Sequence, residues 1–434
     1  MSTTTESRPL RVAFLTYRGN PHCGGQGVYT RHLTRELVAL GHEVTVFGGP
    51  PYPILDEGVS FVPVPGLDLY RQPDPFRTPG LREFRTLVDV AEFAIMCAAG
   101  FPEPLVFSLR ARAALAARLG SFDVVHDNQC LGTGLLGMMD DGWPVLATVH
   151  HPITVDRELE LAGAPDRWRR LTLRRWYGFV GMQTRVVRRL PRILTVSESS
   201  RSDIAAHLGV PRSRIAVIPV GVDHTRFRPQ AGVARVPGRL VTTASADVAM
   251  KGLVPLLEAL AKVRTERHAE LVVVGSPRPR SGAAATIERL GLDGAARFVS
   301  GLSDEALVRL YAEADLVVVP SLYEGFSLPA IEAMACGAPV VATTGGALPE
   351  VVGATGETAL LVPPGDVEAL AAAIGRALDD DALRQRLSRE GRARVLERFT
   401  WQATAEGTVA QYRHLLSRHV LSGHFPSGRV PARC

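Results

Sequence analysis

The chain has 434 residues, 46% of them apolar and 21% charged, and a net charge of +5. That balance fits an ordinary folded protein of two domains, three at most, and argues against disorder, collagen and coiled coil. Apolar runs such as 93–99 and 135–139 fall short of the roughly 18 residues that cross a bilayer. The polar stretch 1–9 has no apolar signal core, so no secretory targeting is expected. The five cysteines (Cys23, Cys97, Cys130, Cys336 and Cys434) are odd in number, scattered and without metal-ligand spacing. Neither a disulfide framework nor a structural zinc site is expected, and a reducing cytoplasm fits.

In chain order, short β-branched runs at 12–17, 44–47, 124–126, 145–149, 193–196 and 215–219 read as strands. A second series follows at 240–243, 271–274, 297–299, 316–319, 340–343 and 360–362. Between them lie stretches with helical spacing, among them 29–40, 253–263, 304–312 and 367–378. Strands buried on both faces and alternating with helices predict parallel α/β sheets. The stretch 221–238 is rich in Gly, Pro and Arg and reads as a linker between two doubly wound, Rossmann-like domains. The expected division is 8–220, linker 221–238, 239–400, and a C-terminal helix and tail over 401–434 that packs back on the N-terminal domain. Ligands of such sheets sit outside the carboxyl ends of the strands, so two domains facing across a cleft would hold the site there.

The most informative stretch is 315–350, DLVVVPSLYEGFSLPAIEAMACGAPVVATTGGALPE. It reads as a buried strand, a loop, and a helix entered at Pro329 and stopped near Gly337. The unpaired N–H groups and positive end of that helix suit a diphosphate. Glu324 precedes the helix and Glu332 lies in its first turn, where carboxylates can accept hydrogen bonds from sugar hydroxyls. The plain alternative is a solvated loop acid and an acid that only complements the helix dipole.

EGFSLPAIE resembles the E-x7-E motif of retaining family 4 glycosyltransferases of the GT-B fold. HCGGQGVYTRHLTRELVALGHEVTVFG is similar to that family's glycine loop, first helix and second strand. VSESSRSDI and IAVIPVGVDHTRFRP resemble the end of its N-terminal domain and the entry to the linker. The resemblance, over about residues 10–400, implies roles. Glu324 would contact donor-sugar hydroxyls, and the backbone of Gly325, Phe326, Ser327 and Leu328 would cradle sugar and diphosphate. Glu332 would hold the ribose, Lys251 the diphosphate as a point charge, and Gly24 and Gly25 would close over the phosphates. Glu350, in ALPE, would buttress the site. For Lys251 the alternative is a surface lysine before a helix, and for the two glycines a simple tight turn. Members often carry an arginine five or six residues before that lysine; this chain has Ser245 and Ala246 there. Arg18, Arg226 and Arg278 are candidates to replace it.

In the N-terminal half, the strand 145–149 runs into His150 and His151. The resemblance places a histidine here, near the donor sugar; His150 fits best in ATVH, with His151 the competitor. Asp127, Asn128 and Gln129 follow another strand end and are acceptor candidates, or an ordinary polar loop. From Arg167 to Arg192 there are nine arginines and no acid, so the rest of the chain is net negative. Basic residues interleaved with aromatics point to an anionic membrane surface or an anionic acceptor, or to a solvated helix packing its aromatics inward. No recognised nucleic-acid motif accompanies the charge.

The expected activity is transfer of a sugar from a nucleoside-diphosphate donor to an acceptor hydroxyl, retention being implied by the resemblance. Lys251 and the helix start would stabilise the leaving diphosphate, and His150 would help to position the acceptor. No cofactor beyond the nucleotide-sugar co-substrate and no metal is expected; the D-x-D at Asp379 to Asp381 falls at a helix end, away from these motifs. The rivals are a GT-B sugar-nucleotide epimerase or phosphorylase, and a non-catalytic nucleotide-sugar-binding or scaffold subunit. The expected location is the cytoplasm, with membrane association open.

Overall fold

The computed structural model describes residues 8–20, 25–71, 73–164, 166–244, 249–276 and 282–421. The chain divides into two compact units. The first holds the residues up to Val196, Arg201–Ile218 and the chain from Thr404 on; the second holds Ser197–Ser200 and Pro219–Ala403.

The first unit is built on seven parallel strands: β1 (Arg11–Thr16), β2 (Glu43–Gly48), β3 (Ser60–Pro63), β4 (Val124–Asn128), β5 (Val145–Thr148), β6 (Ile193–Thr195) and β7 (Ile215–Val217). Their order is β3-β2-β1-β4-β5-β6-β7. The order reverses between β1 and β4, the switch point at whose carboxyl edge such sheets bind ligands. Helices cover both faces, so β4 and β5 are buried along their whole length. Leu15, Val125, Ala147 and Ile193 pack into one core with Leu115, Met138 and Val186 from the helices. Each of these side chains except Ala147 contributes about 1.5–3 kcal/mol through burial.

The second unit repeats the plan with β8 (Val236–Thr243), β9 (Glu270–Val274), β10 (Ala296–Val299), β11 (Ala314–Val319), β12 (Val340–Thr343) and β13 (Leu360–Val362). The order is β10-β9-β8-β11-β12-β13, again parallel, with the reversal between β8 and β11. The helix Leu253–Val263 turns Leu253, Leu256, Leu257 and Leu260 inward, the i, i+3, i+4, i+7 stripe of a core-facing helix.

Two segments differ from the sequence reading. The stretch 221–238 does not run as a linker to its end, because β8 already begins at Val236. Pro237 and Gly238 hide that strand's period; the Gly238 N–H instead donates to Asp315 Oδ2 at 3.0 Å, beside a register shift between β8 and β11. The short edge strand β3 has mostly exposed side chains and so lacks the buried apolar run by which the others were legible. The last helix, Trp401–Leu421, sends Tyr412 into the first unit, where it is fully buried.

Candidate active site

In the second unit, the loop after β11 leads into the helix Leu328–Ala335, with Pro329 in its first turn. Ser327 caps it at φ +102°, a region that strains a residue with a side chain. Its hydroxyl is buried and has no hydrogen-bond partner among the described residues. The helix start therefore has no side-chain cap of its own. It offers N–H groups and a positive dipole end instead.

Two neighbouring turns, at 249–252 and at the end of β12, converge on this loop. The Leu322 N–H donates to Met250 O at 2.7 Å, and the Ala347 N–H donates to Glu324 O at 2.8 Å. Thr343 Oγ1 donates to Ser321 O. Gly252 crosses the end of β11 so closely that a Cβ there would lie 1.9 Å from Pro320 O, and its φ is +65°. Only glycine combines that backbone with that approach. The turn places Lys251 Nζ 2.7 Å from Glu324 Oε1. Ser321 Oγ donates to the same oxygen at 2.7 Å.

Glu332 lies one turn into the helix, within hydrogen-bonding reach of Tyr311, whose hydroxyl is 3.1 Å from Thr243 Oγ1. Burial pushes the Glu332 carboxyl up to about 7, against the opposing hydrogen bond from Tyr311. Burial, followed by the Glu332 charge, holds the Tyr311 phenol well above its ordinary value. Tyr311 and Thr243 escaped the sequence reading because a tyrosine in an ordinary helix and a threonine in a strand carry no motif.

Glu350 binds backbone: its Oε2 accepts from the Glu198 N–H at 2.8 Å and its Oε1 from the Ser199 N–H at 2.7 Å. Of the arginines named as replacements, Arg18 belongs to the first unit and is bound by Glu103 at 2.5 Å. Arg226 is paired with Asp304. Arg278, Gly24, Ser245 and Ala246 lie outside the described residues; Gly25 opens the helix Gly25–Ala39.

In the first unit, the carboxyl edges of β4 and β5 carry a linked polar group. His150 Nε2 is 2.8 Å from Asn128 Oδ1, and the Asn128 amide donates to Gln26 O and Thr30 Oγ1, both at 3.1 Å. With its amide committed as donor, Asn128 presents an acceptor, so His150 carries its proton on Nε2. Gln129 bridges the two histidines: its Oε1 accepts from the His150 N–H at 2.6 Å, and its Nε2 donates to His151 O at 2.8 Å. His151 Nε2 turns to Asp156 at 2.8 Å. Burial, then the neighbouring His151, lowers the His150 imidazole to about 3, so it is neutral at pH 7. It can orient a hydroxyl but supplies no positive charge.

Asp127 and Asn128 are wholly buried; the Asn128 side chain is spent on Gln26, Thr30 and His150, and that of Asp127 holds the loop after β4. Asp127 Oδ2 accepts from the Leu131 N–H at 2.9 Å, within a turn where Gln129 and Leu131 have φ of +55° and +52°. Beneath them His126 Nε2 meets Thr148 Oγ1 and its Nδ1 meets the Tyr412 hydroxyl, both at 2.7 Å. Nothing in the sequence pairs residues 286 apart. The structure thus brings Lys251, Glu324 and the helix start with Glu332 together in one unit, and Asn128, Gln129, His150 and His151 in the other.

Residues 229–394 match the family described as Glycosyl transferases group 1, and residues 23–226 match Glycosyltransferase Family 4. An MMP alpha-(1->4)-mannosyltransferase of Mycolicibacterium hassiacum is 53% identical over 94% of this chain and 99% of its own length. The fold is similar to that of sucrose-phosphate synthase from Thermosynechococcus elongatus (TM-score 0.70, 25% identity, 94% of this chain and 100% of that one). It is also similar to that of HepE from Anabaena in complex with UDP-glucose (TM-score 0.62, 18% identity, 94% and 100%). With two parallel Rossmann-like sheets and the E-x7-E loop in place, the chain belongs to the group 1, family 4 glycosyltransferases of the GT-B fold and is a glycosyltransferase.

Proposed function

We propose that the protein moves a hexose from a nucleoside-diphosphate donor to a hydroxyl of an acceptor, with retention at the anomeric carbon. Mannose is the first sugar to test, since the 53% identical relative is called a mannosyltransferase. The observation that carries the reading is the convergence of Lys251, Glu324 and an uncapped helix start holding Glu332. The bond from the anomeric carbon to the diphosphate breaks as the bond to the acceptor oxygen forms on the same face, through a cation-like sugar, and the acceptor's hydroxyl proton passes to the departing diphosphate oxygen. Lys251 and the helix N–H groups stabilise the charge left on the diphosphate. These groups fill the place a metal takes elsewhere, and the proposal needs none. Glu332 takes the ribose hydroxyls, Glu324 those of the sugar, and His150 orients rather than charges.

A thermal-shift screen of UDP, GDP, ADP and their sugar conjugates, on wild type and Glu332→Ala, tests this. A ligand at a hundredfold excess over Kd adds about 2.7 kcal/mol to the folded state. One nucleotide should stabilise the wild type and clearly less the variant, and its mannose conjugate should be slowly hydrolysed without acceptor. Binding without hydrolysis or transfer would instead make the protein a nucleotide-sugar-binding subunit.

We further propose that the helix Arg167–Trp176 touches an anionic membrane surface. Leu173 faces inward and is buried, while Trp168 and Leu171 are 68% and 41% exposed on the opposite side. Arg167, Arg169, Arg170, Arg174 and Arg175 are exposed around them. An apolar stripe rimmed by arginines matches the interface of anionic lipid. The protein should co-sediment with phosphatidylglycerol vesicles and not with phosphatidylcholine vesicles, and Trp168→Ala should weaken this; equal recovery with both removes the proposal. No described helix is long and apolar enough to cross a membrane.

A further inference from the structure

The loop between Glu324 and Ser327 is held by an element that no motif role explains. Ser197 Oγ donates to the carbonyl of Gly325 at 2.7 Å, and Ser200 Oγ donates to the same carbonyl at 3.1 Å. Both serines are buried, at 2% and 0% exposure. Ser197 Oγ is used twice, since it also accepts from the Ser200 N–H at 3.0 Å. The two residues between them are fixed as well, because Glu350 takes the N–H groups of Glu198 and Ser199. One short segment, Ser197–Ser200, is thus tied to both the loop after β11 and the turn after β12.

The choice of a carbonyl gives the arrangement its consequence. A trans peptide holds its C=O and the next N–H in one plane, pointing opposite ways. Two hydroxyls drawing the Gly325 carbonyl to one side therefore aim the Phe326 N–H to the other. That N–H makes no hydrogen bond among the described residues. Gly325 gives the peptide no side chain to resist rotation, and Ser327 just beyond already sits in a strained region. Without that anchor the Gly325–Phe326 peptide can turn over through the Gly325 ψ and Phe326 φ angles alone, while the Glu324 carbonyl stays held by the Ala347 N–H.

We propose that Ser197 and Ser200 are positioning residues for donor transfer: they lock the Gly325–Phe326 peptide so that its N–H faces the sugar end of the donor, beside the Glu324 carboxylate that Lys251 and Ser321 hold. The inference rests on the glycosyltransfer reading of this loop. Its signature is selective, because the diphosphate and ribose contacts assigned to Lys251 and Glu332 do not pass through the Gly325 carbonyl.

The test compares wild type, Ser197→Ala, Ser200→Ala and the double variant, using the nucleoside diphosphate that stabilises the wild type and its sugar conjugate. Affinity for the diphosphate should stay within about twofold, while the added affinity from the sugar is lost and kcat falls by about tenfold or more in the double variant. Ser197→Thr, which keeps the hydroxyl, should retain most of kcat. Unchanged kcat in the double variant overturns the proposal. So does an equal loss of diphosphate and conjugate binding, which would make the hydroxyls merely structural; the single variants, each keeping one anchor, give this comparison in folded protein. If the wild type binds no nucleotide and transfers no sugar, the function reading fails instead, a result separable from any difference among the variants.

Discussion

Lys251 Nζ lies 2.7 Å from Glu324 Oε1, so the cation expected to meet the diphosphate and the carboxylate expected to meet the sugar are each other's counter-ion before any donor is present. A donor that brings its own negative charge to Lys251 weakens that pair and releases Glu324 toward the sugar hydroxyls. Lys251→Ala should therefore lower kcat/KM by about two to three orders of magnitude, the usual cost of one donor to a developing anion. Lys251→Arg should recover only part, since a planar fork does not reproduce a point charge on a short reach. Steady-state kinetics with the nucleotide-sugar donor decide it; a Lys251→Ala enzyme with wild-type kcat/KM removes the lysine from the mechanism.

Glu332 makes nucleotide binding pH-dependent in a stated direction. Burial raises its carboxyl to about 7, so near neutrality it is partly protonated in the empty protein. Ribose hydroxyls donate to the ionised form, so binding favours proton release and tightens as pH rises from 6 to 8. Calorimetry in buffers of different ionisation enthalpy should show a released proton at pH 6.5. Glu332→Gln should bind more weakly and lose this release. Identical proton release in the variant would assign the titration to the nucleotide phosphate.

Gly252→Ala should damage both stability and function. The new Cβ meets Pro320 O at 1.9 Å on a backbone of φ +65°, and the obstacle is main chain, so something must move. The left-handed conformation alone costs about 1–2 kcal/mol. Because Lys251 is the preceding residue, its ammonium should leave Glu324. Thermal unfolding should show a lowered Tm, and nucleotide binding should fall with it; a substitution that leaves both unchanged contradicts the close crossing.

What was legible in the sequence is what repeats locally. Buried strands such as 316–319 and 340–343 announce themselves by β-branched runs, and the helix 253–263 by its leucine stripe. The donor loop could be read because a strand, a glycine, a helix-entry proline and two glutamates fall within a few turns. What could not be read depends on contacts distant in the chain: Tyr412 against His126, Ser197 on Gly325, Tyr311 beside Glu332. Asp127 and Asn128 read as acceptor candidates because they follow a strand end, yet both are wholly buried. Burial there is set by the elements packed over them, which a linear pattern does not encode.

His126 and Asp127, adjacent on β4, should pull stability in opposite directions as pH changes. Burial, then the nearby His150, lowers the His126 imidazole from 6.5 to about 3. The unfolded chain therefore binds a proton that the folded chain refuses, and stability is lost as pH falls below 6.5, by about 2 kcal/mol at pH 5. Burial raises the Asp127 carboxyl from 3.8 to about 7, so the folded chain binds a proton that the unfolded chain has released. Its contribution is fully present below pH 3.8 and is lost as pH rises through 7. Asp127→Asn imitates the protonated form and keeps an oxygen for the Leu131 N–H. The variant should be more stable than wild type at pH 8.5, on the order of 3 kcal/mol, with the advantage vanishing near pH 4. Its Tm should consequently drop more steeply than that of the wild type on acidification, because the histidine term is no longer offset. Denaturant unfolding at pH 8.5 and pH 5 measures both slopes. A variant less stable than wild type at pH 8.5 would mean that the ionised Asp127, rather than its neutral form, supports the Gln129–Leu131 turn.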